Sequence, residues 1–393
     1  MIVRSLLDTD LYKFTMMQVV LHRFAAAQVQ YRFKCRTPGV DLAVHAGEIR
    51  GEIDALSGLR ASPEELDYLA GLRYVKPDFV DFLRGFRLDP GFVRLDRSRE
   101  HAGEIDLVIE GPWLRTILFE TPLLAIVNEV YFRGRASPVT LDEGRRRLAQ
   151  KVGRVRQDGA AVEFRFSDFG TRRRFSRDWH GEVLRTLARE LPQNFTGTSN
   201  IGYAMRLGLT PVGTMAHEYL QAAQVLAPGL RESQRYALEV WAQEYGGELG
   251  IALSDVYGID AFLRDFDPEL ARLYHGARHD SGDPYRWGEK LIAHYRGMGI
   301  DPAARTLVFS DALTIDSALA LARHFSGRAR VAFGIGTHLT NDLGPEPIQI
   351  VIKMTACNGR PVAKLSDQPG KAMAGAEDYV AYLRRVFEVD TKS

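Results

Sequence analysis

From about residue 160 the chain repeats one texture: short apolar or β-rich runs end in polar, glycine-bearing tips, and helical stretches separate them. The tips are Ser-Asp-Phe-Gly (167–170), Gly-Thr-Ser-Asn (197–200), Met-Ala-His-Glu (215–218), Leu-Ser-Asp (253–255), Arg-His-Asp-Ser-Gly-Asp (278–283), Phe-Ser-Asp (309–311) and Phe-Gly-Ile-Gly-Thr (333–337). Alternating strands and helices imply a parallel sheet. Polar chemistry recurring at the C-terminal ends of successive strands points to a βα barrel with its site at that face. The span from about 160 to 344 is short for a full barrel of ~250 residues. An irregular, TIM-like barrel is therefore expected, with a doubly wound open sheet as the alternative.

The first 130 residues read differently. Residues 11–26 have helical apolar spacing, 29–36 alternate as a half-buried strand does, and Ser62 before Pro-Glu-Glu starts a helix. Residues 105–119 hold an extended Ile-Asp-Leu-Val-Ile run before a Gly-Pro break. These features predict an N-terminal α/β domain over 1–150, followed by the barrel domain over 155–344. The basic stretch from Arg133 to Arg156 marks the junction and reads as a solvated helix face. Residues 348–354 and 361–365 return to strand-like text, and a helix follows near 377–387. Residues 345–393 are therefore expected to complete the first domain as a discontinuous α/β sandwich.

Charge narrows the partners. Lys and Arg number 51 against 50 Asp and Glu, a net charge of +1, which excludes a protein that coats nucleic acid by neutralising phosphates. Any anion binding must be local. The two cysteines, Cys35 and Cys357, are too few for a disulfide framework, and there is no paired Cys/His pattern for structural zinc. The N-terminus lacks signal-peptide order and no apolar run approaches the ~20 residues of a membrane span, so a cytoplasmic protein without membrane attachment is expected. A P-loop and a Gly-x-Ser-x-Gly elbow are absent, and Gly334-Ile-Gly336 lacks the third glycine of a dinucleotide fingerprint.

The tips carry the candidate chemistry. Glycine loops after strands cradle phosphates through backbone N–H groups, which suits Gly334, Gly336 and Thr337, and Thr198 and Ser199 with their added hydroxyls. Ordinary βα turns are the alternative. Arg172, Arg173 and Arg174 follow the Ser-Asp-Phe-Gly tip, and arginine's fork suits phosphate and carboxylate, with Arg172 the first candidate. Asp255, Asp280 and Asp311 stand beside Ser254, Ser281 and Ser310. Gathered at a barrel mouth they could hold Mg²⁺, directly or through water, and ribose hydroxyls. Helix N-capping is the other use of such residues. His217, beside Glu218, is either a structural histidine or a nucleophile toward a phosphoryl group.

Taken in order, Asp-Thr-Asp-Leu-Tyr-Lys-Phe-Thr-Met (8–16), Phe-Ser-Asp-Phe-Gly-Thr-Arg-Arg-Arg (166–174), Gly-Thr-Ser-Asn (197–200), Thr-Met-Ala-His-Glu (214–218), Arg-His-Asp-Ser-Gly-Asp-Pro (278–284), Phe-Gly-Ile-Gly-Thr-His-Leu-Thr-Asn-Asp (333–342) and Lys-Leu-Ser-Asp-Gln-Pro-Gly-Lys (364–371) resemble bacterial nicotinate phosphoribosyltransferases. The resemblance runs from residue 8 to residue 371, nearly the whole chain. It implies transfer of the phosphoribosyl group of phosphoribosyl pyrophosphate to nicotinate, the first step of NAD synthesis from nicotinate, coupled to ATP. It further implies a homodimer with the site at the barrel mouth and the subunit interface.

The resemblance places Phe169 on one face of the pyridine ring and Tyr12 of the neighbouring subunit on the other. Arg278 would meet the nicotinate carboxylate or ring substituent, and Arg172 with the loop Gly334–Thr337 the 5-phosphate. Asp255, Asp280 and Asp311, beside Ser281 and Gly282, would handle ribose, pyrophosphate and Mg²⁺. His217 would be phosphorylated by ATP. A nicotinamide-specific transferase of the same architecture is the nearest alternative. A sugar-phosphate aldolase or isomerase would need a Lys or Glu base at a strand tip, and the tips offer no lysine. A non-catalytic nucleotide-binding protein would leave the polar tips unexplained.

Overall fold

The computed structural model describes residues 1–99, 101–365 and 377–389. Among these residues twelve strands form two sheets. Three are N-terminal: β1 (Gln28–Cys35), β2 (Val93–Arg97) and β3 (Ile105–Pro112). Seven follow the long Arg-rich helix Pro138–Asp158: β4 (Phe166–Asp168), β5 (Phe195–Thr198), β6 (Thr210–Pro211), β7 (Ile251–Leu253), β8 (Gly276–His279), β9 (Thr306–Phe309) and β10 (Arg330–Ile335). The last two are β11 (Ile350–Cys357) and β12 (Arg360–Pro361).

The seven middle strands pair in parallel in the order β6-β5-β4-β10-β9-β8-β7. No pairing joins β6 to β7 among the described residues, so this is a barrel left open on one side. The expected irregular barrel is present, and the doubly wound alternative falls. The second sheet, β12-β11-β1-β3-β2, is antiparallel. Its central β1 lies between β3 and β11, and β11 follows it by more than 300 residues. Strand pairing therefore carries the chain's C-terminal text into the N-terminal sheet.

Local signals produce these elements. Ser62 and Glu65 close a capping box at the helix Pro63–Ala70, with proline at its first position. The β1 pattern alternates buried and exposed residues, as one solvated face requires. The expected strand over 361–365 reaches only Pro361; Val362 and Leu365 instead donate backbone N–H bonds to Thr355 and Val256. Ser366 to Lys371 of the C-terminal motif lie outside the described residues. No helix among the described residues is long and apolar enough to cross a membrane.

Buried polar contacts of Asp8 and Asp10 lock the N-terminal segment onto the barrel. Arg174 donates to both oxygens of Asp8 at 2.6 and 2.9 Å, and Asn200 adds a bond of 2.9 Å. Asp10 accepts from Ser199 at 2.7 Å. The backbone N–H of Leu11 bonds to the Ser199 carbonyl at 2.8 Å. The helix Leu11–Arg23 thus starts at the end of β5, at the barrel mouth.

Candidate active site

A cleft of about 580 Å³ opens where the barrel mouth meets β11 and the helix Leu11–Arg23. Tyr12, Phe169, Arg172, Ser199, His217, Arg278, Asp280, Asp311, Gly336 and Thr337 all line it. Six of the seven predicted tips end barrel strands. The seventh does not: β6 stops at Pro211, and His217 is the first residue of the helix His217–Leu226.

The remaining sequence candidates stand behind that wall. Thr198 is fully buried and donates to Asp168 at 2.7 Å. Gly334 lies against the Phe169 ring, where a Cβ would come within 2.3 Å of ring carbons. Ser281 donates to Asp255 at 2.7 Å, and the Gly282 carbonyl lies 3.2 Å from the imidazole of His279. Asp255 itself is 3% exposed and lies beneath His217.

Capping does not account for the aspartates. The helices after β8 and β9 are capped by Asp283 and Thr314, and the helix Ile259–Asp265 starts at Gly258 without a side-chain cap. Asp255, Asp280 and Asp311 therefore serve some purpose other than closing helix ends. His217 Nε2 is 2.9 Å from Asp255 and 3.6 Å from Asp280. Ligand atoms of these three residues lie within 4.8 Å of one another, a grouping that could hold a cation. Asp311, expected with them, lines the cleft outside this group. Two carboxylates suit a hard cation such as Mg²⁺, directly or through water, whereas the imidazole is a poorer partner for it.

Lys364 completes the cluster. Its ammonium lies 3.1 Å from His217 Nε2 and pairs closely with Asp255. Burial opposes that charge, but Asp255 and Asp280 outweigh it and hold the ammonium above its ordinary pKa. A fixed charged amine is a poor Schiff-base nucleophile. The lysine that an aldolase needs is thus in the cleft after all, and in the wrong state. For His217, burial and then Lys364 pull the imidazole below its ordinary pKa against the pull of Asp255. It is neutral near pH 7. Asp255 stays ionised despite burial, because Lys364 and His217 favour its charge.

The triple arginine divides by partner. Arg174 is fully buried on Asp8. Arg173 donates to the Ile350 carbonyl at 3.0 Å and to Gln349 at 2.6 Å, and Arg172 reaches Glu120 at 3.3 Å. Arg172 and Arg173 line the cleft, and Arg174 does not. Burial, then Arg172 and Arg36, lower the Arg173 pKa to about 10. A concentration of like charge this dense favours a bound anion.

Tyr12, expected from a neighbouring subunit, lines the cleft of its own chain, with the Arg172 guanidinium 5.8 Å from its ring centroid. Sequence reasoning missed Asp10, Glu120, Arg36 and Lys353, which also line the cleft. None carries a local glycine or strand-tip signal. Lys364 stands inside a motif of the resemblance, but nothing local assigns it a role.

Residues 164–391 match the family model described as nicotinate phosphoribosyltransferase (NAPRTase) family, and residues 7–128 match that family's N-terminal domain. The chain belongs to the nicotinate phosphoribosyltransferase family. A relative so named from Acidovorax sp. (strain JS42) is 61% identical over 397 residues, covering 99% of each chain. Another, from Xylella fastidiosa, is 60% identical, covering 99% of this chain and 98% of its own. The crystal structure of nicotinate phosphoribosyltransferase from Vibrio cholerae superimposes with a TM-score of 0.93 at 41% identity, over 99% of this chain and 94% of that one. A putative nicotinate phosphoribosyltransferase from Saccharomyces cerevisiae gives 0.89 at 27% identity, with 99% of each covered. Family membership fits the two-sheet architecture and the charged cleft between the sheets.

Proposed function

We propose that this chain transfers the 5-phosphoribosyl group of phosphoribosyl pyrophosphate to nicotinate, releasing pyrophosphate and nicotinate mononucleotide, with ATP hydrolysed through a phosphohistidine at His217. The observation that carries the coupling is the bond between His217 Nε2 and Asp255 at 2.9 Å, in a site where burial and Lys364 keep the imidazole neutral. Asp255 fixes the ring, and Nδ1 has no hydrogen-bond partner among the described residues. A neutral ring nitrogen held this way can take the γ-phosphoryl group as ADP departs.

The transfer step asks little covalent chemistry of the protein. The nicotinate ring nitrogen is already a nucleophile, and the anomeric carbon passes through an oxocarbenium-like state. The chain's task is to position the reactants and stabilise departing pyrophosphate. Phe169 offers a ring face to the pyridine, held by a backbone bond of 2.9 Å from its N–H to Ile335. Arg278 supplies charge for the carboxylate. Arg172, with Gly336 and Thr337, supplies the 5-phosphate contacts. Asp255 and Asp280 are the residues that would hold Mg²⁺, whose charge offsets that of pyrophosphate. The reading includes cytoplasmic activity as a homodimer and a place in NAD synthesis.

Purified protein given phosphoribosyl pyrophosphate, Mg²⁺ and either nicotinate or nicotinamide, with and without ATP, tests this. Nicotinate mononucleotide should accumulate faster with ATP, and the stimulation should vanish in His217→Ala. Turnover of nicotinamide alone would reassign the substrate. Turnover of neither would overturn the transferase reading.

A further inference from the structure

A charge network runs from the wall of the cleft to a buried lysine that the proposed chemistry does not use. Lys13, on the helix Leu11–Arg23, is fully buried and does not line the cleft. Its ammonium sits 2.5 Å from Glu120 Oε2 and 2.7 Å from Glu218 Oε2. Glu120 turns its other oxygen, Oε1, to Arg172 at 3.3 Å. One carboxylate is therefore shared between a buried lysine and an arginine of the cleft.

The lengths rank the two contacts. Lys13 holds Glu120 at 2.5 Å, while Arg172 is held loosely at 3.3 Å and at 3.9 Å from Asp10. The Arg172 side chain remains 46% exposed toward the cleft. Asp10 and Glu120 oppose Lys13 and Arg172 within this group, and Glu218, whose pKa burial raises to about 7, adds a third carboxylate as it ionises. Without Lys13, Arg172 would be the only cation of the group facing the carboxylates. A buried carboxylate without its counter-ion is costly, so it draws on a cation within reach or takes up a proton.

We propose that Lys13 is a positioning residue for Arg172: by occupying Glu120 it leaves the guanidinium free to hold the 5-phosphate of phosphoribosyl pyrophosphate. This rests on the transferase reading above for the identity of the phosphate. Lys13 touches no substrate. It acts by competing for a carboxylate.

The test combines Lys13→Met, Glu120→Gln and the double variant, each read by the KM for phosphoribosyl pyrophosphate, the KM for nicotinate, and calorimetric binding of phosphoribosyl pyrophosphate with Mg²⁺. Lys13→Met should raise the KM and Kd for phosphoribosyl pyrophosphate about 10-fold or more and leave the nicotinate KM within about 2-fold. Adding Glu120→Gln removes the competing carboxylate and should bring the Kd back to within about 3-fold of wild type. Equal loss in both substrates, or a double variant no better than Lys13→Met, overturns the proposal.

Glu120→Gln alone keeps the test decisive if Lys13→Met does not fold. It should leave phosphoribosyl pyrophosphate binding unchanged or tighter, and about 10-fold weaker binding would overturn the proposal. Calorimetry needs no turnover. A wild-type protein that binds phosphoribosyl pyrophosphate but makes no nicotinate mononucleotide would defeat the transferase reading and still report on Lys13.

Discussion

His217 Nε2 and Asp255 Oδ1 meet at 2.9 Å, and the other oxygen of that carboxylate receives both Ser281 and Lys364. The carboxylate is therefore a fixed point and the imidazole the part it orients. Asp255→Asn keeps the shape but loses the charge that steadies the ring and Lys364. We expect ATP stimulation of nicotinate mononucleotide formation to fall about 10- to 100-fold, as for loss of a carboxylate that orients a histidine. An ATP-free rate lowered by the same factor would show that Asp255 acts mainly in the transfer step, through the Mg²⁺ it would hold with Asp280, rather than by orienting His217.

Gly334 supports the proposed pyridine platform from beneath. A Cβ there would stand 2.3 Å from the Phe169 ring carbons, so Gly334→Ala must tilt the ring. The expected cost in stability is about 1–3 kcal/mol from overpacking, alongside a raised nicotinate KM. An unchanged nicotinate KM would remove Phe169 from the binding face.

The Asp8–Arg174 pair is a stability element. Both side chains are fully buried; burial pushes the Asp8 pKa up, but Arg174 overcomes it and holds the value at about 2. Asp8→Asn takes the nearest counter-charge from the buried Arg174 guanidinium, leaving Glu129 at 3.9 Å, and should destabilise by roughly 3–5 kcal/mol in chemical denaturation. Because the folded value lies below the ordinary 3.8, this stabilisation is present above pH 3.8 and is lost as pH falls toward 2.

Glu218 works in the opposite sense. Burial, aided by Glu120 and opposed by Lys13, raises its pKa from 4.5 to about 7. The folded state holds this proton more tightly than the unfolded state. That contribution is complete below pH 4.5 and is lost as pH rises through about 7. Glu218→Gln should cancel this slope, so the variant gains on wild type by on the order of 1–3 kcal/mol between about pH 5 and 8. Parallel melting-temperature profiles for the two proteins over that range would contradict it.

The barrel, its site face and most candidate residues were readable from the chain because they rest on local chemistry. A strand ending in Ser-Asp-Phe-Gly or Phe-Gly-Ile-Gly-Thr announces its polar tip within a few residues. Six such tips converge on one mouth by the geometry of parallel strands. What the sequence could not assign is which partner each charged side chain takes. Arg172, Arg173 and Arg174 are adjacent in the chain, yet Arg172 and Arg173 line the cleft, Arg173 also ties to β11, and Arg174 is buried on Asp8, 166 residues away. Lys13, Glu120 and Lys364 carry no periodic signal for their roles, and each reaches its partner from a distant element. The text of 361–365 reads as a strand, but its backbone bonds go to Thr355 in β11 and to Val256 in a loop after β7. Periodicity reports which face is apolar. Only the folded chain decides which of several carboxylates a buried cation will meet, because that choice depends on distances set by packing between elements.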